Sequence, residues 1–439
     1  MLPAPAKRVA SIAIPAIGEA YLQSLLGVVD AWFIARIGLV ALNAVGVTNI
    51  YSLTYIGVFT AVSTALSVFL SRAVGAKDFE RGRSAVWHGY VVALVLGLIL
   101  SSVSVLLASP LLHIMGAHGE LEEAALPYFQ FVLGISPLIA LFTAQSAAFR
   151  ATGDTKTPLK VAVEMNALHV VLDYVLIFGI GAIPGFGLAG AAWAMVIARM
   201  YALLRLWWKS RSVEAIRLRK EDCRWRLPLL MDMIKFAVPT AAERLSMRLG
   251  QVIYFGLIVR MGINVYAAHT IAGTLTVFAS TVGAGFATAA SVTIGQAIGS
   301  KDVAAVKSYR LWSYILSAAS MTVITALICI FTPWIGLLFT DNQQVIQMLL
   351  IVLAIDTVSQ PFLASTLVDT SAIQAGGNSK YPMIVTTIGI WGIRTLGVYV
   401  FAWHLGWGLP AVWASIAADN ALRAVLFTRF RRRRKAVAI

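Results

Sequence analysis

Charge is what this chain has little of. Of 439 residues only 13% are Asp, Glu, Lys or Arg, about half the share of a soluble domain. With 59% hydrophobic side chains and a mean hydropathy of +0.81, so much apolar surface calls for a lipid bilayer as solvent. Cysteine is scarce. Cys223 in a polar link and Cys329 in an apolar stretch offer no disulfide framework. Long polar stretches are missing except at 208–232, which leaves no room for a soluble domain of any size. No Walker A loop is present, so any pumping draws on an ion gradient rather than on ATP. The His-Glu metal motif and the nucleophile elbow are missing too, which argues against a membrane-embedded enzyme.

What the chain has is apolar runs long enough to cross a hydrocarbon core of about 30 Å. Twelve spans are predicted: 9–34, 42–71, 85–108, 124–148, 158–180 and 186–207, then 233–257, 264–294, 308–331, 345–372, 381–403 and 408–428. The first is too long for a signal peptide and reads as a retained helix. Numbering the loops alternately puts 27 Lys and Arg on one side, against Arg36 and Arg260 on the other. That imbalance predicts a multi-pass membrane protein with both termini in the cytoplasm; a bacterial inner (plasma) membrane is the expected location. The run Arg431-Arg432-Arg433-Arg434-Lys435 reads as an anchor on anionic headgroups rather than a nucleic-acid site. The link at 208–232 is expected to form a short amphipathic segment on the cytoplasmic surface. Trp87, Trp207, Trp208, Trp334, Trp403 and Trp407, near span ends, suit interfacial belts.

The chain is also duplicated. Residues 15–158 align with 239–382 at a constant offset of 224, without gaps. Pro15 faces Pro239, Glu19 faces Glu243, and Arg36-Ile37-Gly38 faces Arg260-Met261-Gly262. Gly75-Ala76-Lys77-Asp78 faces Gly299-Ser300-Lys301-Asp302, and Gly153 to Pro158 faces Gly377 to Pro382. The expected fold is an all-α integral membrane protein of twelve helices in two six-helix bundles. An even number of spans per copy relates the bundles by a pseudo-twofold axis along the membrane normal, with a cleft between them. The predicted lobes are 1–207 and 233–439, joined by 208–232. A channel built from identical pore segments does not fit, because the polar residues differ between the copies.

Ionisable groups inside such spans mark function, since each costs at least about 2.5 kcal/mol to insert. Span 1 carries Glu19 and Asp30 on one helical stripe, and span 5 carries Asn166, His169 and Asp173 three and four residues apart. If those faces meet, Asp30, Asp173, Asn166 and His169 form one buried cluster, able to hold and release a proton with His169 as relay. Mutual hydrogen bonding that merely locks the bundle is the structural alternative. Symmetry breaks here: Tyr254 stands opposite Asp30, and no acid stands opposite Asp173. Glu19, its counterpart Glu243 and the helix-bending Pro15 are candidates for secondary coupling or gating, Glu243 being equally open to pairing with an arginine. Glu164 and Asp369 are expected to snorkel toward the cytoplasmic face, and His269 to fill a satisfied helix position.

Several of these motifs resemble one family. Pro15 to Glu19 with Gly27-Val-Val-Asp30 and Arg36-Ile-Gly38, Phe149-Arg150-Ala-Thr-Gly153-Asp154-Thr-Lys156-Thr-Pro158, Leu172-Asp173-Tyr174 and Gly187-Leu-Ala-Gly190 are similar to the multidrug and toxic compound extrusion (MATE) transporters. Acids on spans 1 and 5 look most like the DinF-like branch. The resemblance implies a two-lobed antiporter, working as a monomer by alternating access and without a cofactor. It would export bulky, often cationic, drug-like organic compounds in exchange for protons or sodium. It maps the coupling site onto Asp30, Asn166, His169 and Asp173. Two departures, His169 where the family often has Asn and Met195 where it often has Thr, replace hard oxygen donors and favour protons over sodium. A related flippase of lipid-linked precursors is the competing reading, kept open by Arg244, Arg248 and Arg394.

Overall fold

The computed structural model describes residues 2–181 and 183–433; Arg434 and Lys435 of the expected tail anchor lie outside them. The chain is almost wholly helical: α1 Ala4–Ala35, α2 Leu39–Gly75, α3 Phe79–Leu106, the short α4 Ala108–Ile114, α5 Glu120–Gly134, α6 Ser136–Thr152, α7 Lys156–Phe178 and α8 Gly187–Ser210. After the link come α9 Leu227–Arg260, α10 Ile263–Gly299, α11 Val303–Leu337, α12 Gln343–Ala375, α13 Lys380–Ile388 and α14 Gly408–Arg433. Two two-residue strands, β1 Gly179–Ile180 and β2 Ile183–Pro184, make a hairpin between α7 and α8. Among the described residues, ten helical segments are long and apolar enough to cross a membrane. The sequence predicts twelve. The other two, α9 and α14, are long enough, but α9 carries Glu243, Arg244 and Arg248, and α14 carries Asp419, Arg423 and several terminal arginines. Large apolar side chains such as Leu39, Leu106, Ile263 and Leu338 stand exposed on the outer surface, as suits a lipid-facing wall.

The duplication reappears in the backbone. Lys77 and Lys301 both adopt positive φ, 58° and 60°, in a region that side chains avoid. Asp78 then caps α3 through the Arg81 amide at 3.0 Å, and Asp302 caps α11 through the Ala305 amide at 2.9 Å. Gly153 and Gly377 close α6 and α12 with φ of 95° and 85°.

The copies part company in several places, two of which involve close helix packing. Predicted span 124–148 is broken at Ile135 into α5 and α6, where Pro137 near the start of α6 lacks an amide to continue the ladder. The backbone of Pro137 lies so close to Gly97 of α3 that a Cβ there would not fit. Its counterpart, Pro361, sits inside an unbroken α12. The second departure follows α13, which continues as wide π-type turns over Gly389–Thr395 and Val398–His404. There Gly389 and Gly397 admit Asp419 and Ser415 of α14 against the backbone.

The chain folds as two compact units: residues 18–237, and residues up to Ile17 together with Val238 onward. These differ from the halves expected at 1–207 and 233–439. The first turns of α1 belong to the second unit, where Arg8 donates to Gln296 at 2.8 Å and Ile17 presses on Gly285 of α10. The first turns of α9 belong to the first unit, where Phe236 and Ala237 pack on Ala65 and Val68 of α2. Both changes of allegiance fall within a few residues of Pro15 and Pro239, although each helix runs on unbroken through its proline. The link 208–232 is not a free amphipathic helix on the membrane surface, contrary to expectation. Ile216 is buried with Leu66, Leu70 and Phe149, Arg83 pairs with Asp222 at 2.8 Å, and the Arg226 amide donates to His88 Nε2 at 3.0 Å. An isolated polar segment has no such core partners available in its sequence window.

Candidate functional site

In the first unit α1 and α7 pack so that their polar faces meet. Phe33 and Ile34 of α1, Ala41 of α2, Ile177 of α7 and Ala191 of α8 form a small apolar cluster beside them. The Phe33 ring lies 6.5 Å from that of Tyr174 and 5.9 Å from that of Phe178. Gly190 brings α8 onto α7 where any Cβ would collide with the Leu176 carbonyl, which explains the glycine in that motif.

This packing brings Asp30, His169 and Asp173 together. One donor atom from each lies within 4.8 Å of the other two, and His169 Nε2 is 3.6 Å from Asp173 Oδ1. Asp173 is 1% exposed and His169 4%. Asn166 stands on the same face but does a different job. Its Nδ2 donates to the Leu22 carbonyl at 2.8 Å, tying α7 to α1 one turn away from the three donors. Asp30 Oδ1, Asp173 Oδ1 and Asn166 Oδ1 are buried and accept no hydrogen bond, and such oxygens call for a proton or a cation. Two carboxylates and an imidazole can hold a cation, or pass one proton among themselves.

Sequence reasoning passed over two neighbours. Tyr128 of α5 packs with Val132 and with Ala192 of α8. Arg199, also on α8, lies within electrostatic reach of Asp30, His169 and Tyr128. An arginine inside predicted span 186–207 was a signal of the same kind as Asp30.

Glu19 and Glu243 also occupy equivalent places. Arg150 Nη1 donates to both oxygens of Glu19, each at 2.9 Å, so Glu19 is an ion-pair partner. The residue equivalent to Arg150 is Gln374, whose Nε2 donates to Glu243 at 3.2 Å while Thr386 donates at 3.0 Å. The arginine pairing weighed for Glu243 is thus replaced by neutral donors, with Arg244 and Arg423 farther off as charges.

The position opposite Asp30 is apolar. Tyr254 is buried in the core of the second unit with Ile390 and Trp413, and its ring is 6.4 Å from that of His269. His269 is caged by Phe255 and Trp413 at 4.9 and 5.8 Å. Its Nδ1 is buried with no hydrogen-bond partner, so it is not the satisfied histidine that was expected. Arg394 pairs with Asp419 at 2.8 Å, and Arg423 meets the same carboxylate at 2.7 Å. Asp369 does not snorkel: it is buried and paired with Arg310 at 2.6 Å. Glu164 meets Arg205 at 3.1 Å and Tyr201 at 2.8 Å.

A duplicated, all-helical membrane chain with buried ionisable groups in its spans has the makings of a secondary transporter. Comparison with known proteins agrees. The MatE family model matches residues 15–175 and again 239–400, one match for each copy of the repeat. The chain is similar to the probable multidrug resistance protein NorM of Thermotoga maritima, 28% identical over 421 residues, covering 96% of this chain and 90% of the relative. It is equally similar to the uncharacterized transporter YisQ of Bacillus subtilis, 28% identical over 429 residues, covering 95% and 92%. In fold it matches a crystal structure of MATE in the bent conformation, with a TM-score of 0.92 at 22% identity over 99% of this chain and 96% of that one. The chain belongs to the MatE family of membrane transporters and is not an enzyme.

Proposed function

We propose that this protein is a proton-coupled multidrug efflux antiporter of the bacterial inner membrane, acting as a monomer with both termini in the cytoplasm. Bulky, often cationic organic compounds leave by alternating access as protons enter. The observation that carries this reading is the close trio of half-buried Asp30 with buried His169 and Asp173. Two carboxylates so close in an apolar surrounding hold one proton between them more readily than they stand as two bare charges, and the imidazole is placed to relay it. His169 also takes the place of an oxygen donor, which disfavours sodium. The multidrug resistance name of the Thermotoga maritima relative supports the substrate class. Arg394 is occupied by Asp419, so it gives little support to a flippase for anionic lipid headgroups.

Proteoliposomes test the coupling ion. Drug transport is expected to follow an imposed pH gradient and to ignore a sodium gradient. Transport that survives collapse of the pH gradient and requires sodium would instead favour the sodium-coupled exporter.

A further inference from the structure

His88 of α3 is a buried titratable group to which the transport reading gives no task. It is 0% exposed and stands against the link that precedes α9. Both ring nitrogens meet backbone groups. Nδ1 is 2.7 Å from the Ser84 carbonyl oxygen, which can only accept, and Nε2 is 3.0 Å from the Arg226 amide, which can only donate. These partners fix the ring as the neutral tautomer, with its proton on Nδ1 and a lone pair on Nε2. An imidazolium has no acceptor left, so its Nε2–H would face the Arg226 N–H.

Arg226 is where α9 begins. Its carbonyl accepts from the Leu230 amide at 3.0 Å, and its own amide, of the kind a helix start leaves unsatisfied, has the His88 ring as partner. Trp225 stands edge-on to that ring, centroids 5.8 Å apart. The charged neighbours are committed elsewhere. The Arg226 guanidinium pairs with Glu80, Arg83 with Asp222 at 2.8 Å, and Arg150 of α6 with Glu19. Arg72 of α2 and Arg81 of α3 act on each other, and apart from Asp222 the link residues from Arg219 to Arg226 are exposed. The link thus has two anchors on α3, the Arg83–Asp222 ion pair and the His88–Arg226 bond. Only the second contains an imidazole.

We propose that His88 is a proton-operated latch on the entrance of α9: the neutral ring holds the Arg226 amide, and the charged ring releases it while Arg83 and Asp222 keep the link tethered. The latch is closed above the titration range of the imidazole and open below it. It goes beyond the coupling reading and does not depend on the coupling ion. In the orientation proposed above this face meets the cytoplasm, where protons carried inward reach the latch.

Hydrogen exchange of the full-length protein in detergent reads the latch directly, in peptides that separate the Arg226 amide from that of Asp222. The range runs from about pH 8 to about pH 5.5, which brackets an ordinary imidazole, with rates corrected for the intrinsic pH dependence of exchange. In wild type, Arg226 is expected to lose protection about tenfold as pH falls, the worth of one hydrogen bond. The Asp222 amide, held by the Arg219 carbonyl at 3.0 Å, is the internal control and keeps its protection. His88→Gln, neutral and still offering an acceptor oxygen, is expected to protect Arg226 at both ends of the range, and His88→Phe at neither. Wild-type protection that ignores pH, a loss that spreads to Asp222, or a His88→Gln that loses protection as wild type does overturns the proposal. Should neither variant fold, wild type decides: a loss confined to Arg226 upholds the latch, and either of the first two outcomes refutes it. Failure of the coupling reading has a separate signature, drug transport driven by sodium, and leaves the exchange pattern unaffected.

Discussion

Glu19 and Glu243 descend from one position, and they show how duplication followed by single replacements divides labour. In the first copy Arg150 meets the carboxylate with two charge-assisted contacts. In the second, Gln374 stands in the same place and offers only a neutral amide. At the turns the backbone hardly changes: Lys77 and Lys301, and Gly153 and Gly377, match in φ. Charge does change. One copy keeps a Glu paired with an arginine and a cluster of two acids and a histidine, and the other keeps a Glu among neutral donors and an aromatic core where the cluster would stand. A scaffold held by backbone turns and small-residue contacts accepts either partner for the glutamate, Arg150 in one copy and Gln374 in the other.

The comparison can be broken most decisively at Asp30. Asp30→Asn is expected to abolish drug efflux with expression unchanged, whereas Tyr254→Phe at the equivalent place leaves efflux near wild type. Equal behaviour of the two in a cellular drug-resistance assay would erase the asymmetry. Stability gives the next largest difference. Glu19→Gln strands Arg150 without its carboxylate and is expected to cost about 3 kcal/mol, seen as a clear fall in Tm in detergent. Glu243→Gln keeps neutral hydrogen-bonding partners and should cost no more than about 1 kcal/mol. Gln374→Arg recreates the first-copy pair in the second. It is expected to raise Tm and to slow transport without abolishing it, and unchanged transport would remove Glu243 from any coupling role. The smallest effect is expected from His169→Asn, which supplies an oxygen donor: wild type is expected to ignore sodium, and the variant to gain a modest sodium stimulation of efflux in proteoliposomes.

Much of this was legible beforehand. Asp30, His169 and Asp173 were findable because a carboxylate inside an apolar span stands out in any window, and helical spacing places His169 and Asp173 on one face. Asn166 shared that spacing, yet its amide is committed to the Leu22 carbonyl, a choice that depends on how close α1 approaches. Arg199 was equally visible and was passed over, since no spacing on its own helix tied it to an acid. The break at Ile135 had a local cue in Pro137, but Pro361 carries the same cue and breaks nothing, so the proline alone does not decide. For the link at 208–232, polarity suggested a surface helix. Its burial on α3 through Asp222 and Ile216 required partners more than a hundred residues away.

By itself, the amino-acid order determined the solvent, the approximate helices, the duplication and the confinement of the acid pair to one copy. Those properties are local or periodic: hydropathy over twenty residues, a constant offset, a charge where none belongs. Tertiary structure alone decided which buried groups became partners: Arg150 with Glu19, Gln374 with Glu243, and Arg394 with Asp419. A buried polar group takes whichever donor or acceptor the packing brings within about 3 Å, and that distance is set by helix contacts between residues far apart along the chain.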